Sequence, residues 1–443
     1  MMTLTDRTMR TALTALIVTA ALGAGAMPAA AYDGYVAPLA EIPFANTTMT
    51  GARSLGMGGV ALATADDGSA MLTNPAALAR LRRVELSGGF AFDGRGMAGD
   101  ALGSEYETDI TSTSLSALRF AYPFPTFRGS LVVGLGFERV YGLDADFLAT
   151  YDDSLTWYEP SADEDRTDIW RQTEDLLSNG DMYAGTLAAA FDASENVSIG
   201  ASVSIVGGTY ERTFLYTARD QHDVSSDYET YNLEIDSEAD VAGLGFKLGA
   251  LFYLTEQLAA GATVALPTTL TFSGTESERQ MTTGDEEYDE ILVTSFEDKL
   301  TLPFAFGVGA SWSPLDLVIV GCDYQYTNWS EMEYEGRVYL GDQAERRDAY
   351  EATHDIKAGV EVTIPEMPVR VRAGYMTRPV SYRGLTVDED RAYWTVGAGI
   401  LIDTVLAIDV AWLSAAYERS ADDYDYTESV DETALIIEAA YRF

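Results

Sequence analysis

From Val84 to Phe443 the chain repeats one unit, a stretch of about ten residues with an apolar side chain at every second position. Alternation of this period gives a strand two unlike faces. The connections between strands are alternately short and long. Pro123 to Gly129, Ala193 to Asn196, Thr255 to Gln257, Ser313 to Leu315, Pro365 to Met367 and Ile402 to Thr404 are short. Gly94 to Thr111, Gly142 to Asp181, Glu276 to Glu290, Gly341 to Glu351 and Glu418 to Asp431 are long and rich in Asp, Glu, Ser and Tyr. Tight turns on one side and long connections on the other are the two rims of a membrane barrel. The pattern predicts an all-β fold, an antiparallel transmembrane β-barrel of about 14 strands with both ends in the periplasm. A soluble sandwich with a half-buried last strand is the alternative.

The last strand separates its faces most sharply. Leu435, Ile437, Ala439, Tyr441 and Phe443 fall on one side, Glu438 and Arg442 on the other, as expected of a lipid face and a lumen face. A strand ending on an aromatic residue makes Phe443 the expected signal for the barrel assembly machinery. The same parity turns Asp355, Lys357 and Glu361 inward on one strand and Arg370 and Arg372 inward on the next; Glu138, Lys247, Asp323 and Asp409 join them. These charges either satisfy one another across the lumen, or Lys247, Lys357, Arg370 or Arg372 receives the acidic head group of a ligand.

Two segments precede the strands. Arg7 and Arg10 stand before an apolar run from Ala12 to Ala26, and Ala29-Ala30-Ala31 supplies a cleavage site, so residues 1–31 read as a signal peptide. Beyond it, no apolar stretch approaches the roughly 20 residues a membrane helix requires. Residues 32–82 do not alternate. Gly51 to Val60 is glycine-rich, and Asn74-Pro75-Ala76 can cap a helical turn. Too small for a core of its own, this segment is expected to fill, as a hatch, the barrel built by residues 83–443. Its Gly-x-Gly pattern is no nucleotide loop, because neither a β-α-β unit nor a phosphate-binding lysine accompanies it.

With these residues in view, the chain resembles the FadL and TodX family of outer-membrane transporters for hydrophobic compounds. The resemblance rests on the run from Gly51 through Asn74-Pro75-Ala76 to Leu81, with Ala77 where the family has Gly. In order along the chain follow Asn232-Leu233-Glu234, Gly243 to Gly249, Leu266-Pro267, Leu302-Pro303-Phe304, Asn328-Trp329-Ser330 and Arg372 to Tyr375. The resemblance implies a 14-stranded barrel plugged by its N-terminal hatch. It further implies passive uptake of long-chain fatty acids or hydrocarbons, capture at the extracellular side, and exit through the wall at a distorted third strand. The third strand here, Ser130 to Tyr141, contains Gly134 and Gly136, which either weaken its pairing or make room for the hatch. The connection from Gly142 to Asp181 offers Trp157, Trp170, Leu176 and Leu177, for an apolar capture groove or for a packed loop core. The run from Ser54 to Gly59 also resembles related barrels that serve protein secretion and surface attachment, which is the alternative function.

Charge narrows the partners. With 28 Lys and Arg against 70 Asp and Glu, a net charge of -42 repels nucleic acid. The acidic runs Asp285 to Glu290 and Asp422 to Asp425 lack the spacing of a calcium loop. They read as a solvated surface beside lipopolysaccharide and outer-membrane lipid, and they favour neutral over anionic hydrophobic ligands. One cysteine, Cys322, and two histidines leave no metal or cofactor expected. His354, with Ser330 and Ser381 at the rim, is a thin basis for catalysis, and the chain is expected not to be an enzyme.

Overall fold

The computed structural model describes residues 51–443 apart from 102–103, 160–163, 223–228, 284–287, 316, 337–347, 384, 388–390 and 422–425. The expected signal peptide, 1–31, and residues 32–50 of the expected hatch lie outside the described residues. Fourteen strands close a single antiparallel wall. The first seven are β1 (Glu85–Ala101), β2 (Ser104–Phe124), β3 (Leu131–Gly142), β5 (Glu164–Ser194), β6 (Val197–Asp220), β7 (Thr230–Tyr253) and β8 (Leu258–Ala265). The other seven are β11 (Ala305–Leu315), β12 (Val318–Asn328), β14 (Ala352–Thr363), β15 (Val369–Thr377), β17 (Ala392–Ile402), β18 (Leu406–Ala421) and β19 (Tyr426–Arg442). β1 and β19 pair from Glu85 against Arg442 to Ala101 against Tyr426, which closes the cylinder and removes the open edges a sheet would otherwise carry.

Alternation explains the wall. Phe90 and Phe92 on β1, Leu118 and Phe120 on β2, and Trp394 and Val396 on β17 are exposed on the outer face, where the solvent is lipid. Their neighbours, such as Ala91, Arg119 and Thr395, are buried on the inner face. No helix among the described residues is long and apolar enough to cross a membrane; the strands do the crossing. Aromatic rings mark both interfaces: Phe306, Tyr324 and Tyr326 cluster with His354 at one end, and Tyr441 meets Phe443 edge-on at 4.8 Å at the other. The tight turn between β17 and β18 places Asp403 and Thr404 at φ 49° and 59°, the left-handed geometry that matches strand twist in a short hairpin.

Several stretches expected as long loops are strands instead. β4 (Ala145–Glu159) pairs with the upper part of β5, so most of Gly142 to Asp181 is a hairpin. β9 (Thr268–Thr283) and β10 (Tyr288–Leu302) likewise occupy most of Glu276 to Glu290. The buried face of the β4–β5 extension mixes polar with apolar side chains, Gln172 and Glu174 beside Trp170 and Leu176, so no clean apolar alternation marks it. Two short strands, β13 (Glu333–Glu335) and β16 (Thr386–Val387), pair with β10 and β18.

Candidate functional site

Residues 51–81 fill the lumen. A five-residue helix, Ala52–Gly56, and two 3-10 turns, Gly68–Met71 and Pro75–Arg80, are buried almost throughout. Asn74 caps the second turn, its side-chain oxygen accepting from the Ala76 amide at 3.1 Å, while its Nδ2 donates to the carbonyls of Leu62 at 2.6 Å and Ala250 at 3.2 Å. One side chain thus joins two hatch segments to β7. Asn74→Ala removes all three bonds, and a loss of about 1–3 kcal/mol is expected for the buried groups left unpaired. Urea unfolding of the refolded barrel measures it as a lower midpoint.

The barrel receives the hatch with charges and with glycines. Arg53 of the hatch meets Glu361 of β14 twice, at 2.9 and 3.1 Å. Glu361 also accepts from Arg372 of β15 at 2.6 Å, and Arg372 continues to Asp409 of β18 at 2.5 Å. Asp323 of β12 accepts the amides of Ala61 and Leu62, and Lys247 of β7 donates to the carbonyl of Leu72. Glu438 of β19 accepts the Ala52 amide at 3.0 Å, and Glu85 of β1 accepts that of Gly68 at 2.8 Å. Within the hatch, burial opposes ionisation of Asp67, but the Arg53 guanidinium and the Ser69 hydroxyl outweigh it and hold its pKa below the usual carboxylate range. Where backbones meet, the wall has glycine. A Cβ on Gly374 would lie 2.1 Å from the Gly58 nitrogen, and one on Gly249 would lie 2.1 Å from Asn74 Oδ1.

The four inward cations thus have different neighbours. Lys247 and Arg372 are engaged by the hatch and by carboxylates, as described. Lys357 stands opposite Asp323 in the β12–β14 register, and Arg370 stands between Thr363 and Gly399. Gly134 and Gly136 face the side chain of Met71, which a Cβ on Gly134 would approach to 2.6 Å. The irregularity of β3 falls further on, between Arg139 and Tyr141, and β3 pairs with β2 only as far as Glu138 against Ala117. Charge lines that gap. Glu138 pairs with Arg119 at 2.9 Å, and Arg139 with Asp93 at 2.6 Å and Asp181 at 2.5 Å. In the β4–β5 hairpin Trp170 and Leu176 are buried, whereas Leu177 is exposed; the Trp157 side chain lies outside the described residues. At the rim, His354 Nδ1 is 2.7 Å from the Tyr324 hydroxyl, Ser330 donates to Asn328, and Ser381 is buried rather than facing outward.

Above the hatch lies a cavity of about 260 Å³, which sequence reading did not anticipate. Its floor is apolar: Leu55 of the hatch helix packs with Ala91, Met97, Leu413 and Ile436. Four arginines border it, and each is already engaged. Arg95 meets Glu432 at 3.0 Å, Arg139 meets Asp93, Arg419 meets Glu428, and Arg378 lies 5.2 Å from the centre of the Tyr393 ring. Glu432 further accepts from the hydroxyls of Tyr393 and Tyr417. A second apolar cluster, with Leu270, Leu300, Leu302, Trp329 and Met332, lines the lumen elsewhere. Such a chamber can hold an apolar molecule away from water, with a self-neutralised polar border.

A family model described as outer membrane protein transport protein (OMPP1/FadL/TodX) matches residues 182–437. No curated protein sequence matches. Among solved structures, a FadL homologue of Pseudomonas aeruginosa superposes with a TM-score of 0.65 at 14% identity, over 91% of this chain and 99% of that one. The toluene transporter TodX of P. putida gives 0.62 at 14% identity, over 89% and 98%. The toluene transporter TbuX of Ralstonia pickettii gives 0.56 at 19%, over 89% and 98%. At these identities the likeness is one of fold.

Proposed function

Because the chain belongs to the outer membrane protein transport family OMPP1/FadL/TodX, a family of transport channels of the bacterial outer membrane, we propose that it takes up neutral hydrophobic small molecules passively. A molecule enters from the extracellular side, rests in the cavity on the hatch, and leaves sideways through the barrel wall into the membrane. The observation that carries the choice of neutral cargo is the border of that cavity. Every arginine there already meets a carboxylate or an aromatic face, so a fatty-acid carboxylate would have to displace an existing partner and would face Glu432, Glu428 and Asp93 while doing so. A hydrocarbon needs none of those partners and rests on the apolar floor. The TodX and TbuX structures are those of toluene transporters, which is in keeping with this cargo. At the seam the Phe443 amide donates to the Val84 carbonyl at 2.9 Å, which leaves the aromatic ring exposed for the assembly machinery.

The test is competition in lipid nanodiscs. A deuterated alkylbenzene bound to the protein should resist displacement by an alkyl carboxylate of equal length and yield to an unlabelled neutral analogue. Ready displacement by the carboxylate would overturn the reading. Glu432→Gln, which removes the negative charge beside Arg95, should raise carboxylate affinity about tenfold, the worth of a charge-assisted contact of about 1.4 kcal/mol.

A further inference from the structure

The barrel wall is interrupted at one level across three adjacent ladders. β8 and β9 are two parts of one strand, as are β11 and β10, because Ala265 pairs with Ala305 and Thr268 with Leu302 in a continuous register. The residues between them therefore face each other, Leu266 against Phe304 and Pro267 against Pro303. Neither proline has an N–H, so this rung of the ladder has no donor from either side. On one flank, between the Lys247–Ala265 and Gly243–Leu270 pairs, three residues of β7 face four, which is a bulge. On the other flank, between the Ala305–Thr327 and Thr301–Glu333 pairs, three residues face five, and the longer segment coils into the 3-10 turn Trp329–Glu331.

The chemistry on the two sides of this break matches. Inside stand Leu270, Leu300, Leu302, Trp329 and Met332, all buried in one cluster. Outside, Leu244, Phe246, Leu266 and Phe304 are exposed on the lipid face. Directly above, the outer face turns polar, where the Thr269 and Thr301 hydroxyls meet at 2.9 Å; the break therefore lies at the outer boundary of the apolar belt. We propose that the Pro267–Pro303 break is the passage by which apolar molecules cross between the lumen and the membrane. The inference rests on the uptake reading above. The rival gap, between β2 and β3, is lined by Arg119, Glu138, Arg139, Asp93 and Asp181. An apolar molecule passing there would strip water and partners from buried charges, whereas at the proline break it exchanges one apolar contact for another.

Paired cysteines test the passage in the full-length protein, with Cys322 replaced by serine. Leu266→Cys with Phe304→Cys places two cysteines directly across the break, and Leu118→Cys with Phe137→Cys does the same below the β2–β3 gap, where those residues pair. Uptake of radiolabelled naphthalene is measured in cells carrying equal surface amounts of each variant, oxidised and then reduced. Closing the proline break is expected to lower uptake to that of cells without the protein, with recovery on reduction, while the β2–β3 staple leaves uptake unchanged. Pro267→Val with Pro303→Val, which restores both donors to the ladder, should lower uptake without any oxidant. Wild-type uptake with the break verifiably cross-linked overturns the passage, as does loss of uptake from the β2–β3 staple alone. If the reduced variants and the wild type take up no more naphthalene than cells without the protein, the uptake reading itself falls and the passage with it.

Discussion

Gly374→Val is expected to turn a closed barrel into a leaking one. A Cβ at this position would lie 2.1 Å from the Gly58 nitrogen, 2.2 Å from the Met57 carbonyl carbon and 2.6 Å from Gly58 Cα, all hatch backbone. No rotamer change relieves such a contact; the hatch has to move. The outer surface of β15 is untouched, so the barrel should still assemble and keep its heat-modifiable migration on gels. The expected readout is a step of ion conductance in planar bilayers that the wild type lacks. A variant that folds and stays as tight as the wild type would mean that the hatch can shift without opening a path for ions.

The largest effect on stability is expected from Glu361→Ala. Glu361 is 2% exposed and serves two guanidinium groups at once, Arg53 of the hatch and Arg372 of the wall. Its removal leaves Arg53 with Asp66 at 2.9 Å and Arg372 with Asp409, each short of a partner in a buried setting. Truncating one member of such a network costs about 3–5 kcal/mol, read as a lower urea midpoint of the refolded protein. Arg53→Met should cost less, since Glu361 keeps Arg372. A double-mutant cycle between Arg53 and Glu361 then isolates the coupling of hatch to wall.

Much of this was legible in the sequence, for a physical reason. Lipid outside and charge inside force a period of two on every membrane-crossing strand, so parity alone turned Glu361, Arg372, Asp323 and Lys247 inward, where Glu361, Asp323 and Lys247 meet the hatch and Arg372 meets Glu361. The Asn74 cap was legible from its neighbours, because a cap is a local device. The extensions β4, β9 and β10 were not, since beyond the lipid no face of a strand has to be uniformly apolar. Nor was the partner of Arg53, which lies 308 residues away; alternation tells which way a side chain points and nothing about what crosses the lumen to meet it. Gly134 and Gly136 show the same limit: as sequence they could weaken a strand or leave space, and only the position of Met71 distinguishes the two. The cavity on the hatch was invisible for a related reason, because its floor and border come from both ends of the chain.

The first and last strands of the wall are also those that grip the hatch by its backbone, Glu85 through Gly68 and Glu438 through Ala52. A cylinder can be zipped shut without its contents, but here each half of the zip presents a carboxylate that has one mate in the wall, Arg442 for Glu85 and Arg119 for Glu438, and gains a second, a backbone amide, only when the plug is in place. A buried carboxylate short of one hydrogen bond is less stable than one fully served, so the last rungs to form would favour a loaded barrel over an empty one. Closure then acts as an inspection step: a molecule whose hatch strayed into the periplasm would carry a weak seam, and would reopen before it could serve as an unguarded hole in the cell's outer wall.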